Sequence, residues 1–377
     1  MPKPAIVRGS DQFFVTTYEG NGTGQRVGNF VPFTDNGTIA KSVMLDHGSS
    51  SYLERTQDTV SGDDNKRKAT FSCWFKPSGV RFGNENALFC AAPSGRLFAR
   101  FDTSNRLVFR LTNSTTEYQI VTNRTFEDTS KFYHLLWQVD ASQSTASNRS
   151  RVWIDGSEIT SWASAAYPAQ NTDVVGLADG TVFRISSLSH SELQFFDGYI
   201  AEFNCISGSI VDVSTFGLTD TSTGRWIPKT LTGITYGTNG FRCEFANSAG
   251  QTIGDDTSGN GNDLTLNGIG VDHITTDSPT QNYSTFEDAH GGTTKSEGSL
   301  KIVIGNSNFG HNCSSLRPRS GKWYGEFKCV TKGRSEVGIQ HTEFMPENSA
   351  TARLTAPTDG SLAGLMWYAN DGKLLKD

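Results

Sequence analysis

Charge is scarce in this sequence: Asp, Glu, Lys and Arg make up 19% of the 377 residues, and the 33 basic ones are scattered. With a formal net charge of −6 and no basic run, the chain lacks the footprint that neutralises phosphates, so nucleic acid is not an expected partner. No stretch approaches the roughly 20 apolar residues a bilayer-spanning helix requires, and membrane insertion is not expected. The opening "RGSDQFF" has no apolar run of the secretory kind. The cysteines, Cys73, Cys90, Cys205, Cys243, Cys313 and Cys329, form no C-x-x-C pair, which removes the zinc and redox motifs. They read as buried free thiols of a chain made in a cytosol. Amphipathic helices are missing too, since no window keeps an apolar stripe at helical spacing for more than about ten residues.

What the chain has instead is turn chemistry and a period of two. Its 39 glycines stand among abundant Ser, Thr and Asn, residues that weaken helix interiors and favour turns. In "RLFARFD", Leu97, Ala99 and Phe101 share one face while Phe98 and Arg100 share the other. "RLVFRL" repeats the pattern with Leu107, Phe109 and Leu111, and Leu135, Trp137 and Val139 line one face of the next strand. Val152 and Ile154 precede Asp155-Gly156, a pair suited to the positive φ angles of a tight hairpin. The fold class expected is all-β, with sheet packed on sheet. Residues 1–40 carry aromatics among glycines with neither helical nor long strand periodicity and form an arm. Residues 41–215 form a sandwich, residues 216–280 a packed connector with one strand from Gly240 to Ala246, and residues 281–377 the start of a second β-sandwich. Because the last strands stop at Asp377, just after an Asn370-Asp371-Gly372 turn, a longer native polypeptide is expected.

Three segments carry a family resemblance: "KATFSCWFKP", "FYHLLWQVDASQSTASNRSRVWIDGSEI" and "FFDGYIAEFNCI". In that order they resemble the laminin-G-like, concanavalin A-like jelly rolls. "SGKWYGEFKCV" with "SEVGI" is similar to the opening strands of SPRY-type domains. The succession of arm, jelly roll, connector and SPRY-like start resembles the tail fibres and virion structural proteins of bacteriophages, especially marine ones. The resemblance implies a virion component made in a bacterial host cytoplasm. It also implies attachment to other tail, neck or portal-proximal virion proteins through the arm, and a homotrimer.

The candidate chemistry is sparse. "YEGNGTGQRVGNFVPF" has the glycines of a phosphate-binding loop but runs into Pro32 and further turn residues where a helix should begin, and no Lys-Ser/Thr pair follows. It reads better as an attachment segment in which Gly22 and Gly24 permit close backbone approach. Phe13, Phe14, Tyr18, Arg26, Phe30 and Phe33 supply its contacts. No alternating pair of acids fits glycoside hydrolysis, and Asp155/Glu158 and Asp197/Glu202 have the wrong spacing. A G-x-S-x-G elbow is absent, and His134, on an apolar strand, is expected to be packed or hydrogen-bonded. No enzyme activity and no cofactor are therefore expected. Calcium is the one metal considered, through Asp255, Asp256, Asn260, Asn262 and Asp263, but these miss the EF-hand order and fit Asx turns better. Trp162 and Tyr167, in "SWASAAYP", are expected to lie in a loop and are the candidate contacts for a host-surface glycan. The expected function is a phage fibre or spike subunit that adheres to its host; the competing readings are a non-receptor head-decoration, neck or whisker protein and, third, a polysaccharide-degrading enzyme.

Overall fold

The structure is a computed structural model. It describes residues 37–316 except 80–81, 92–96, 114, 178–179, 189–193, 222, 247–251, 289–292 and 305–311. Outside that span it describes residues 328 and 330 and the strands Ile6–Gly9, Gln12–Val15, Glu336–Gln340, Gly364–Tyr368 and Lys373–Lys376. Tyr18 to Phe33 of the arm and most of the SPRY-like segment lie outside the described residues.

Alternation of apolar and polar residues pairs the strands into two 8-stranded antiparallel sheets. The first runs Ser157–Glu158, Ser150–Ile154, Tyr133–Asp140, Lys68–Pro77, Gly198–Ser207, Ser42–Leu45 and Ile274–Thr275, with Phe241–Cys243 also paired to Gly198–Ser207. The second runs Trp162–Ala165, Glu117–Thr125, Arg106–Thr112, Leu97–Phe101, Asn86–Ala91, Val182–Ile185, Tyr52–Thr56 and Thr265–Asn267. Residues 241–275 thus place strands in both sheets, and the sandwich reaches beyond residue 215.

Between the sheets lies an interior of rings. Phe71, Phe89, Trp137, Phe183, Phe203 and Phe241 pack with centroids 5.0 Å apart for Phe71–Phe89 and 5.3 Å for Phe89–Phe203 and Phe183–Phe241. These separations favour tilted and edge-on contacts, which add to the area buried. Leu97, Ala99, Phe101, Leu107, Phe109 and Leu111 all enter this core, and Phe98 belongs to a separate cluster on the opposite face, as the alternation requires. Asp155 and Gly156 turn the hairpin with φ of 50° and 76°.

A second, thinner layer covers the outer face of the first sheet. Trp74, Phe132, Tyr199 and Ala201 cluster with Ile39 and Trp226, while Leu136, Trp153 and Ile206 cluster with Phe216 and Tyr236. The Trp226 indole lies against Gly156 and Gly217, where a Cβ would collide with it. Glycine at 156 therefore serves both the turn and this close approach. No helix among the described residues is long and apolar enough to cross a membrane.

Candidate functional site

The layer over the first sheet holds the most reactive-looking side chains of the described residues. His134 is fully buried, with Nε2 3.0 Å from the Ser72 hydroxyl and Nδ1 accepting from the Trp226 indole N–H at 3.1 Å. Burial pushes its pKa down to about 3, so the ring is neutral. An indole N–H only donates, which forces the single ring proton onto Nε2 and makes Nε2–H the donor to Ser72. A general base needs a free lone pair facing the serine; this imidazole faces it with a proton. The contact is a structural one, in keeping with a packed, hydrogen-bonded histidine.

Lys76 extends from the same face into an ion pair with Asp277, both side chains being essentially inaccessible. The ammonium also donates to the Tyr283 carbonyl at 3.1 Å and the Asn282 amide oxygen at 3.3 Å, and lies 5.0 Å and 5.1 Å from the Phe132 and Tyr199 ring centroids. Burial raises the Asp277 pKa to about 6 against the opposing pull of Lys76. The pair fastens the segment after residue 275 to the sandwich, helped by Tyr199 donating to the Gly298 carbonyl at 3.0 Å. Glu202 sits at a bulge in Gly198–Ser207 with φ 48°, buried and paired with Arg242. Burial raises its pKa, with Arg242 opposing. Arg242 also holds Glu244 at 2.8 Å, so the two carboxylates share one guanidinium.

The acid- and amide-rich loop folds on its own backbone. Asp256 accepts from the N–H groups of Arg242, Ser258 and Asn262 at 2.9, 2.8 and 2.9 Å, and Asp263 accepts from Asp256 N–H at 2.8 Å. Asp255 accepts from Thr252 N–H at 2.8 Å. Asn260 and Asn262 donate to the Gly240 carbonyl, and the Asn262 oxygen accepts from Arg55 at 2.7 Å. These are Asx-type closures that use the oxygens a cation would need. Among the described residues no group of three or more His, Cys, Asp or Glu side chains could hold a metal ion.

Trp162 and Tyr167 come together at one edge of the second sheet. Trp162 opens the strand Trp162–Ala165 rather than standing in a loop, with Trp162 opposite Thr122. Both residues are half-buried against the core, with Trp162 beside the Tyr167 phenol. Of the arm residues, Phe13 and Phe14 lie in Gln12–Val15, opposite Arg8 and Val7. Tyr18, Gly22, Gly24, Arg26, Phe30 and Phe33 lie outside the described residues.

The outer face of the second sheet carries a row that sequence reasoning did not single out as a site. Register places Glu54, Arg184, Cys90, Phe98, Arg110 and Gln119 side by side across neighbouring strands. Arg184 bonds Glu54 at 2.8 Å, Arg110 pairs with Glu117 at 3.1 Å, and Arg100 pairs with Glu85. The Arg100 and Arg110 guanidinia lie 5.1 Å and 4.9 Å from the Phe98 ring centroid. The signal was present: arginine at 100 and 110 falls on the same parity as Phe98. This face offers forked donors and carboxylate acceptors, the chemistry of non-covalent recognition. A cavity lined by Phe71, Leu177, Phe183 and Asn239 among others measures about 10 Å³, room for one water molecule.

Residues 47–210 match a family described as the concanavalin A-like lectin/glucanases superfamily, of laminin-G type. No curated protein matches the chain. Among solved structures the chain is similar to the native heptameric SAP-like pentraxin from Limulus polyphemus, at 13% identity and TM-score 0.35 over 61% of this chain and 96% of that one. It is also similar to full-length tailspike protein 2 from Escherichia coli O157:H7 bacteriophage CAB120, at 12% identity and TM-score 0.32 over 45% of this chain and 23% of that one. A third is domain 4 of AbnA, a GH43 extracellular arabinanase from Geobacillus stearothermophilus in complex with arabinotriose, at 19% identity and TM-score 0.33 over 47% and 75%. The sandwich built on residues 47–210 is a concanavalin A-like, laminin-G-type jelly roll.

Proposed function

We propose that this protein is a structural, adhesive subunit of a tailed-phage virion, of fibre or spike type. Its N-terminal arm joins it to the particle and to other copies, and its jelly roll engages a host-surface glycan. One observation carries the adhesive part. The two outer faces of the sandwich differ: the first is sealed under Phe216, Trp226, Tyr236, Asp277 and Gly298, whereas the second carries partly exposed arginine–carboxylate pairs with Trp162 and Tyr167 at its edge. Guanidinium forks beside aromatic rings suit polyhydroxylated or acidic sugars, which present oxygen acceptors and apolar C–H faces. The matched superfamily has lectins in its description, which supports the same reading. On it, the protein binds without chemical turnover and without a cofactor, and the segment beyond residue 281 is a SPRY-like sandwich displayed in series.

The test is a glycan array and a host-cell adsorption assay with the full chain, repeated with Arg110→Ala and Trp162→Ala. Saturable binding to surface glycans that both substitutions weaken about tenfold supports the reading. Absence of binding in both assays leaves a virion protein without receptor activity and overturns the adhesive part.

A further inference from the structure

Among the described residues the two sheets of the sandwich end in five edge strands, and four of them are protected. Ser157–Glu158 is two residues long, with Glu158 held by Arg151 at 2.7 Å. Ile274–Thr275 is two residues long and buried, and Thr265–Asn267 and Phe241–Cys243 are three residues long each. Short, charged or covered edges do not recruit further strands. Trp162–Ala165 differs. It spans four residues, Ala163, Ser164 and Ala165 are exposed, and the sequence from Ile159 to Thr172 holds no charge. Ala166 N–H donates to the Gln119 carbonyl at 2.9 Å, and Ala165 stands opposite Ile120. Hydrogen-bonded and non-hydrogen-bonded pairs alternate in an antiparallel ladder, so Ala165 turns its own N–H and C=O outward. The bulge between Trp162 and Ser164 bends the first half of the strand and leaves the second half regular.

The chain also holds a hairpin that has the opposite need. Ile6–Gly9 and Gln12–Val15 pair with each other, Val7 opposite Phe14, and form a two-stranded sheet of their own. Such a hairpin is marginal in water and gains stability by adding to a larger sheet. Each of its strands is four residues long, as is the open edge. Residues 16–36 separate it from the described sandwich, and these 21 residues reach about 70 Å when extended.

We propose that the N-terminal hairpin of one copy adds to the Trp162–Ala165 edge of a second copy, extending the neighbour's second sheet by β-augmentation. This rests on the reading that the arm joins copies, and it specifies where. The occupant is a segment of the same chain type because this protein supplies both a hairpin that no other described strand extends and an uncharged edge of equal length. The added ladder is antiparallel main-chain pairing through the outward groups of Ala165 and its neighbours.

The experiment compares the mass in solution of the full chain with that of three full-length variants. Phe14→Pro breaks the hairpin. Ala165→Pro removes an outward N–H that makes no internal bond, and Ala163→Lys puts a charge on the edge. Far-ultraviolet circular dichroism of each variant reports whether the sandwich stays folded; if Ala165→Pro fails that check, Ala163→Lys decides. The expected result is an oligomer that each variant reduces to the single chain with the sandwich intact. If Phe14→Pro reduces the oligomer and neither edge variant does, the arm still joins copies and the edge assignment is overturned. A full chain that is a monomer, or an oligomer that Phe14→Pro leaves unchanged, overturns both the assignment and the reading beneath it.

Discussion

The strand Lys68–Pro77 shows two ways of burying a sheet at once. Its inward residues Phe71, Cys73 and Phe75 enter the ring-filled core, while its outward residues Thr70, Ser72, Trp74 and Lys76 are equally buried but polar or mixed in character. The inner face needs only complementary shape. The outer face needs a partner for each polar atom: Ser72 finds His134, Thr70 receives the Val211 N–H at 3.0 Å, and Lys76 finds Asp277. Stability inside therefore comes from area and packing, and outside from satisfied pairs whose loss leaves a group stranded. Substitutions on the two faces should fail in different ways.

The largest effect is expected inside. Phe89 touches Phe71, Trp137, Phe183 and Phe203, and Phe89→Ala opens a cavity among these rings. It should cost about 3–5 kcal/mol in urea unfolding, and the cost should not depend on pH between 5 and 8. A loss under about 1 kcal/mol would mean that the sheets close over the gap. On the outer face, Asp277→Ala strands the Lys76 ammonium and should cost about 3 kcal/mol, whereas Lys76→Met combined with Asp277→Leu should recover most of it. Phe89→Ala admits no such rescue by a second site, and that contrast separates packing from pairing.

A smaller effect has a sign set by protonation. His134 in the fold titrates at about 3, while an unfolded histidine titrates near 6.5. Between those values the unfolded chain binds a proton that the folded chain refuses. Stability from this group is therefore complete above about pH 6.5 and falls as the pH drops, by about 1.4 kcal/mol per unit. From pH 6.5 to 5 the loss should approach 2 kcal/mol. His134→Gln keeps an acceptor for Trp226 and a donor for Ser72, and should remove that slope. Asp277, Glu202 and Asp197, whose carboxyls burial raises, contribute with the opposite sign, so the difference between the two proteins is the quantity to measure.

The two faces also differed in how far the sequence revealed them. Alternation exposed the inner face, because Leu135, Trp137 and Val139, or Leu107, Phe109 and Leu111, must share a side, and Asp155-Gly156 announced its turn. The outer cover was less visible. Lys68–Pro77 is covered on both faces by segments distant in sequence, and long-range cover has no periodic trace. The aromatic residues of the connector, 216–280, announced that it packs, but not on which surface. Nothing near Lys76 announced Asp277, 201 positions away in sequence (277 − 76). At the candidate site the aromatic pair Trp162 and Tyr167 could be named in advance, whereas the arginine row across the second sheet depends on strand order, which no local pattern encodes.

The smallest effect tests the polar logic on the loop, where pairs are less deeply buried. Asp256 closes its loop by accepting from three backbone N–H groups, those of Arg242, Ser258 and Asn262. Asp256→Asn retains an acceptor oxygen but weakens charge-assisted bonds, and Asp256→Ala removes them; losses of about 0.5 and 1–2 kcal/mol should follow in that order. Because these carboxylate oxygens already accept from N–H groups, a calcium ion entering the loop would have to displace them. Millimolar calcium should then leave the thermal midpoint unchanged in the wild type and in Asp256→Ala alike. A calcium-dependent rise that Asp256→Ala abolishes would show instead that the loop exchanges its internal bonds for a cation, and that its Asx turns are the empty form of a metal site.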